Sequence, residues 1–324
     1  MPIPYLVLCE ETTMDNLSGS VFDDFLGRYQ DNGGINEQKS ALVSIPLPAL
    51  SLRYLFRQEG FSLSRTISIF GPADSQKTSL AIEIIRWHRL CGGAGLLIHT
   101  EGKPPDELVY GILNNDMDAI RMVQVQSLED WMRCVRGTFD SIIQASRRKR
   151  GTLPERPVCV VVDTISGILD ESEIKEIDKS GAPRVHFASM AKKISDHFRD
   201  VPRLLWQYPF TYVCINHLKF ASTGFGPSIP YSPGGESVNY ATSMRLFVRR
   251  SSGTTITASP EHQILRQENN RIYYGNVLVM DMTKNSIAPR SSLEEVEFVW
   301  YYDYDNPKEI RHRGRVKVLY PQVM

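Results

Sequence analysis

The chain has 324 residues, 42% hydrophobic and 23% charged, which is enough for one large α/β domain with decorations or a core with a small second unit. Lysine plus arginine equals aspartate plus glutamate at 37 each, so bulk charge argues neither for nor against a nucleic-acid partner and any basic surface has to be local. The five cysteines (Cys9, Cys91, Cys134, Cys159, Cys214) are scattered, with none at a metal spacing to histidine, a pattern of reduced, intracellular use rather than of a disulfide framework.

Residues 14–30 put Val21, Phe22, Phe25, Leu26 and Tyr29 on one helical face before Gly33-Gly34 interrupt the pattern, so residues 1–44 are predicted to form an N-terminal arm and linker. From about residue 45, β-rich runs alternate with helical patterns: strand 66–70, helix 78–90, strand 95–100, helix 105–114, strand 121–125, helix 127–146, strand 157–163, helix 185–199 and strand 211–216. Such alternation predicts an α/β core with a mainly parallel twisted sheet flanked by helices on both faces. Period-two runs at 277–281 and 296–302 predict antiparallel strands at the C-terminal edge, closing a core over 45–303. Residues 304–324, with Lys308, Arg311, Arg313, Arg315 and Lys317, read as a basic tail. No apolar run approaches the roughly 18 residues of a membrane span. Met1-Pro2-Ile3-Pro4-Tyr5 lacks a basic leader, so a cytoplasmic protein without a membrane partner is expected.

The strongest signal is Ile67-Ser68-Ile69-Phe70 running into Gly71-Pro72-Ala73-Asp74-Ser75-Gln76-Lys77-Thr78 and then an amphipathic helix. This is a phosphate-binding loop in which Gln76 replaces the second glycine. Backbone N–H groups at the helix start converge on phosphate oxygens, Lys77 adds a point charge and the Thr78 hydroxyl is a magnesium ligand, so a nucleoside triphosphate is the expected ligand. The second glycine commonly holds a backbone conformation that costs a residue with a Cβ roughly 1–3 kcal/mol, so Gln76 is an expected source of strain. The apolar run Val158 to Val162 ends in Asp163, placed to hold magnesium close to Thr78. Leu96-Leu97-Ile98-His99-Thr100 ends in Glu101 on the same sheet edge, where a carboxylate can orient and deprotonate an attacking water. Taken singly, Asp163 and Glu101 also read as ordinary turn residues.

The colinear order of this loop, His99-Thr100-Glu101-Gly102, Asp163-Thr164, Cys214-Ile215-Asn216-His217-Leu218-Lys219, Gly234-Gly235-Glu236-Ser237-Val238-Asn239-Tyr240 and Lys284-Asn285-Ser286-Ile287-Ala288-Pro289 resembles the RecA family of DNA strand-exchange ATPases. Thr100-Glu101-Gly102 is closer to eukaryotic and archaeal members and the Lys284 segment to bacterial ones; no counterpart of the bacterial C-terminal accessory domain is expected. A divergent, phage-encoded recombinase of the UvsX kind fits that mixture and would work in the host cytoplasm.

The resemblance implies ATP and Mg2+ as cofactors, with Glu101 as catalytic base, Lys77 on the phosphates, and Thr78 and Asp163 at the metal. It extends nucleotide contact to Ser79, Asp106 and Tyr110, and makes Asn216-His217 the counterpart of an Asn-Gln switch that senses the γ-phosphate. His217 is compatible with that role, its donor capacity varying with protonation, and equally with an imidazole satisfied by a nearby carbonyl. Lys284 is implied to reach the neighbouring protomer's γ-phosphate, with Ser286 where a second lysine stands in the bacterial motif. Two polar stretches, 171–184 and 218–235, occupy the places of the DNA-binding loops, which makes Arg184, Ser189, Lys192, Lys193, Lys219, Phe225, Ile229, Gly234, Gly235 and Arg245 the implied DNA contacts. Phe225 and Ile229 fit either a wedge between bases or a pin holding the loop to its domain. The run Arg147-Arg148-Lys149-Arg150 is accounted for by a helix C-terminus that favours cations, with a minor part in DNA contact.

Implied partners are single-stranded DNA, homologous duplex DNA, further copies in a helical filament, and loader or single-strand-binding proteins. Two rival readings stand beside DNA-dependent ATP hydrolysis: an ATP-binding filament protein that no longer hydrolyses, and another RecA-fold motor such as a hexameric helicase.

Overall fold

The computed structural model describes residues 44–47, 50–104, 106–148, 156–166, 168–180, 187–221, 229–231, 235–250, 256–259, 262–268, 271–288, 294–303 and 306–318. Apart from Ser44, the predicted N-terminal arm lies outside these residues, as do Arg184, Phe225 and Gly234.

In chain order the elements are β1 (Ser44–Pro46), α1 (Leu50–Phe56), β2 (Gly60–Ser62), β3 (Arg65–Gly71), α2 (Lys77–Leu90), β4 (Ala94–His99), α3 (Asp106–Ile112), a short 3-10 turn (Met117–Ala119), β5 (Ile120–Gln124), α4 (Leu128–Arg148) and β6 (Val158–Asp163). They continue with α5 (Glu171–Ser180), α6 (Phe187–Leu205), β7 (Phe210–His217), β8 (Lys219–Ala221), β9 (Ile229–Tyr231), α7 (Gly235–Ala241), β10 (Met244–Arg250), β11 (Ile256–Ser259), β12 (His262–Glu268), β13 (Arg271–Asn285), β14 (Glu294–Asp303) and β15 (Asn306–Val318).

The central sheet runs β10-β3-β7-β6-β4-β5 with every neighbouring pair parallel. Strand β13 adds antiparallel to β10, and β12 and β14 add antiparallel to β13. This is the mainly parallel α/β sheet with an antiparallel C-terminal edge that the alternation predicts. Strands β3, β6 and β7 are buried almost throughout because both faces are covered. In β6 and β7, Cys159, Val161, Val213 and Ile215 face a core shared with α1, α2 and α3, which includes Leu52, Phe56, Leu80, Ile84, Trp87 and Val109. Their neighbours Val160, Val162, Tyr212 and Cys214 face the other core, with Trp131, Val135 and Phe139 of α4 and Ile194, Phe198 and Leu204 of α6.

Local signals set the helix limits. The Ser127 hydroxyl accepts the Asp130 N–H at 3.1 Å to open α4, whose first turn carries Glu129 and Asp130 and whose last carries Arg147 and Arg148, matching the helix dipole at both ends. Helix α2 ends in a turn where Gly92 holds φ of +77°, the left-handed conformation glycine adopts without penalty.

The segments that differ from the sequence expectation include the following three. Residues 171–180, expected within a flexible polar stretch, form α5, because Asp170 and Glu173 make a reciprocal cap: the Glu173 N–H donates to Asp170 Oδ1 at 2.8 Å and the Asp170 N–H to Glu173 Oε2 at 3.1 Å. Helix α6 runs through Pro202 to Leu205, beyond its expected end, with the Trp206 N–H bonded to the Pro202 carbonyl at 3.2 Å. Residues 306–318, within the expected basic tail, form a strand, since β15 pairs along β14 from Glu294↔Val318 to Asp303↔Asn306.

Candidate functional site

Parallel strands present their C-terminal ends together, and β3, β4, β6 and β7 bring Gly71, Glu101, Asp163 and His217 to one edge. A cleft of about 320 Å³ opens there, lined by loop residues Asp74 to Ser79 and by Glu101, Gly102, Pro104, Leu108, Asp163 and His217. Gly71 fits only as glycine, because a Cβ would lie 2.0 Å from the Val248 carbonyl oxygen of β10. Pro72, Ala73 and Asp74 are exposed, and Ser75 is buried.

Gln76 holds φ 63° and ψ 26° immediately before α2, so the non-glycine residue does occupy the left-handed region. Its side chain turns back, and Oε1 accepts the Ser79 hydroxyl at 2.9 Å. Lys77 is buried, its Nζ donating to the carbonyls of Gly71 at 3.3 Å and Pro72 at 2.5 Å and to Ser75 Oγ at 3.2 Å. Burial holds the ammonium below its ordinary pKa, opposed by the carboxylates of Asp163, Asp74 and Glu101. An anion in the loop offers that ammonium the strong partner that its carbonyl contacts lack.

Thr78 Oγ1 donates to Asp163 Oδ2 at 2.5 Å. Burial raises the Asp163 carboxyl above the usual range, and the Thr78 bond and Lys77 pull the other way. A hydroxyl and a carboxylate in contact are the hard oxygen donors that a magnesium ion takes, so the pair fits such an ion. Among the described residues no group of three or more His, Cys, Asp or Glu side chains is placed to hold a metal, so a cation at this pair would draw further ligands from phosphate.

Glu101 Oε2 and His217 Nε2 are 3.2 Å apart, both partly exposed to the cleft. Asn216 is buried beneath them, and its Oδ1 accepts a short hydrogen bond from Ser166 Oγ, which in turn accepts the His217 N–H at 2.9 Å. Of the Asn216-His217 pair, therefore, the imidazole lines the cleft while the amide is tied below it. Sequence reading gave no role to Ser166, nor to Thr100 and Thr164, whose bonds lace the ends of β4 and β6: Thr100 Oγ1 donates to the Thr164 carbonyl at 2.9 Å and accepts the Thr164 N–H at 3.1 Å. Short polar residues flanking the strand-end acids were the available signal.

The other expected positions spread over the fold. Asp106 pairs with Lys103 at 2.7 Å and Tyr110 is exposed on α3, neither among the residues lining the cleft. Lys284 Nζ donates to the Asn239 and Tyr240 carbonyls at 2.8 and 3.2 Å, capping α7, and burial followed by the nearby Arg245 charge lowers its pKa. The Arg245 guanidinium stacks 4.6 Å from the Phe70 ring centroid. Ser189 and Lys192 are exposed on α6, whereas Lys193 Nζ is held by Glu129 at 2.5 Å and by the fully buried Asp170 at 3.3 Å. Lys219 and Ile229 fall on β8 and β9, paired as an antiparallel ribbon, and Gly235 opens α7.

No family model matches the chain. Curated relatives include Protein RecA of Tropheryma whipplei (strain Twist), 23% identical over 263 residues, which cover 81% of this chain and 53% of the relative. Protein RecA of Lactobacillus delbrueckii subsp. bulgaricus is 22% identical over 260 residues (80% and 69%), and that of Rubrobacter xylanophilus 25% identical over 258 residues (79% and 65%). The chain thus spans between about half and two thirds of the length of the relatives it matches. With the loop, the strand-end acids and the sheet order in place, the chain is similar to RecA proteins at 22–25% identity over about four fifths of its length, which supports a divergent RecA-family member.

Proposed function

We propose that this chain is an ATP-dependent recombinase that assembles as a helical filament on single-stranded DNA, pairs it with homologous duplex and exchanges strands, in the manner of the phage UvsX kind. One observation carries the reading: Lys77, the Thr78–Asp163 pair and the Glu101–His217 pair converge on a single cleft of a RecA-family core. Lys77 and the N–H groups opening α2 hold the phosphates of ATP, and Thr78 and Asp163 hold Mg2+. The ion, when bound, supplies charge neutralisation at the phosphate oxygens. Glu101 orients the attacking water and takes its proton; His217 Nε2, 3.2 Å from that carboxylate, is the donor best placed to sense the γ-phosphate.

Lys284 supports a nucleotide shared between protomers. In register it lies opposite Arg245, and Arg245 opposite Ser68, three positions short of Gly71, so its own loop is roughly 10 Å further along the strand. A lysine at that distance serves a neighbour's nucleotide better than its own. The amphipathic pattern of residues 14–30 supports an arm that docks on the adjacent protomer. Deleting residues 1–34 should leave a folded, nucleotide-binding chain that does not polymerise; normal filaments or outright unfolding would remove the arm from this role.

Electron microscopy of the full chain with ATP, Mg2+ and single-stranded DNA tests the assembly. An open helical filament is expected. Closed rings would contradict it and favour a hexameric motor.

A further inference from the structure

The arginines on α4 and α6 fall into two sets. Arg133, Arg136, Arg199 and Arg203 each lie on a carboxylate: Asp130 and Glu171, Asp140 and Asp200, Asp196, and Asp200 in turn. Arg147 and Arg148 in the last turn of α4, and Arg156 just before β6, are exposed and have no carboxylate partner among the described residues. Arg147 Nη2 donates instead to Gln207 Oε1 at 2.8 Å, and the Arg156 backbone N–H donates to the Tyr208 hydroxyl at 3.1 Å. These bonds tie the Arg147 guanidinium and the Arg156 backbone to the turn that follows α6, with Arg148 next to Arg147 in the chain, and that turn presents Trp206 at 63% exposure.

A helix C-terminus explains a taste for cations but neither the bare indole nor, among the described residues, arginines without a carboxylate. Planar guanidiniums suit phosphodiester oxygens, and an exposed indole stacks on an unpaired base, so the combination fits a single-stranded polynucleotide. The position is distinct from the cleft. Strands β6 and β7 begin beside this turn and run roughly 20 Å to the ends that bear Asp163 and His217, so the patch occupies the opposite edge of the sheet.

We propose that Trp206, Arg147, Arg148 and Arg156 form a second binding site for single-stranded DNA, separate from the nucleotide cleft and from the segments that follow β6 and β7. It engages a strand without nucleotide, phosphates on the arginines and a base on the indole.

The test uses the full chain without nucleotide and a bromodeoxyuridine-substituted oligothymidylate, irradiated and mapped by mass spectrometry, alongside equilibrium binding. Expected are adducts on Trp206, an affinity about tenfold or more lower for Trp206→Ala with recovery in Trp206→Phe, and a salt slope shallower by about 2 for the Arg147→Gln/Arg148→Gln/Arg156→Gln variant. Unchanged melting temperatures show that these exposed substitutions leave the fold intact. Wild-type affinity in the triple variant, or adducts confined to other segments, would overturn the proposal. Equal losses on duplex DNA would overturn the single-strand assignment, and displacement of the oligonucleotide by polyglutamate at matched charge would overturn the nucleic-acid one. The readout needs no hydrolysis or filament, so its failure is distinguishable from failure of the recombinase reading.

Discussion

His217 Nε2 lies 3.2 Å from Glu101 Oε2 at the mouth of the cleft, joining the residue that departs from the family's glutamine to the carboxylate assigned to activate water. The pair is partly exposed, so it contributes no more than about 1 kcal/mol to folding, and its importance is positional. His217→Ala should leave urea-unfolding stability within about 1 kcal/mol of wild type while DNA-stimulated hydrolysis is lost, and His217→Gln should restore it. Equal hydrolysis in His217→Ala and wild type would remove the imidazole from the reaction.

Gln76 sits in the left-handed region, yet its side chain recovers a bond to Ser79. Gln76→Gly relieves strain of roughly 1–2 kcal/mol, offset by the lost bond and a freer unfolded chain, so its stability should stay near wild type. Gln76→Ala keeps the strain and loses the bond, and should be less stable than Gln76→Gly by about 1 kcal/mol in urea unfolding. The reverse order would mean that φ at this position imposes no cost.

Much of this was legible in the residues. The continuous apolar runs ending in Gly71, Glu101 and Asp163 gave the parallel sheet and the edge where the cleft opens, because strands buried on both faces cannot alternate. Two things were not legible. The Asp170/Glu173 cap was outweighed by the polar, mixed-charge composition around it, and α5 was missed. The engagement of Lys193 depends on Glu129 and Asp170, which are 64 and 23 residues away in sequence, so local charge could not separate it from exposed Lys192.

That contrast is measurable. Lys193→Met deprives buried Asp170 of its cation and should cost about 1–3 kcal/mol in urea unfolding. Lys192→Met should leave stability unchanged and reduce the salt slope of DNA binding by about 0.7 if it contacts one phosphate. Equal stability of the two variants would contradict the ion-pair assignment.

His88 is fully buried, with Nδ1 2.7 Å from the Ile84 carbonyl and Nε2 2.8 Å from Thr211 Oγ1. The carbonyl can only accept, so Nδ1 carries the proton and Nε2 accepts from the Thr211 hydroxyl. Burial lowers its pKa to about 4, against a weaker upward pull from the Ile84 bond. A depressed folded-state value means that stability is full above the unfolded value near 6.5 and is lost as pH falls toward 4, at up to roughly 1.4 kcal/mol per pH unit. Urea unfolding should show a decline of roughly 2 kcal/mol between pH 6.5 and 5, with a shallower decline in His88→Gln. A level profile in the wild type would contradict this.

The most direct test of the account is the rate of ATP hydrolysis with Mg2+, with and without single-stranded DNA, for wild type and Glu101→Gln. DNA should raise the wild-type rate, and Glu101→Gln should fall by about 10²–10⁴-fold while still binding nucleotide. A wild-type chain that binds ATP and Mg2+ yet hydrolyses none above background in the presence of DNA would contradict the account and identify a non-hydrolysing filament protein.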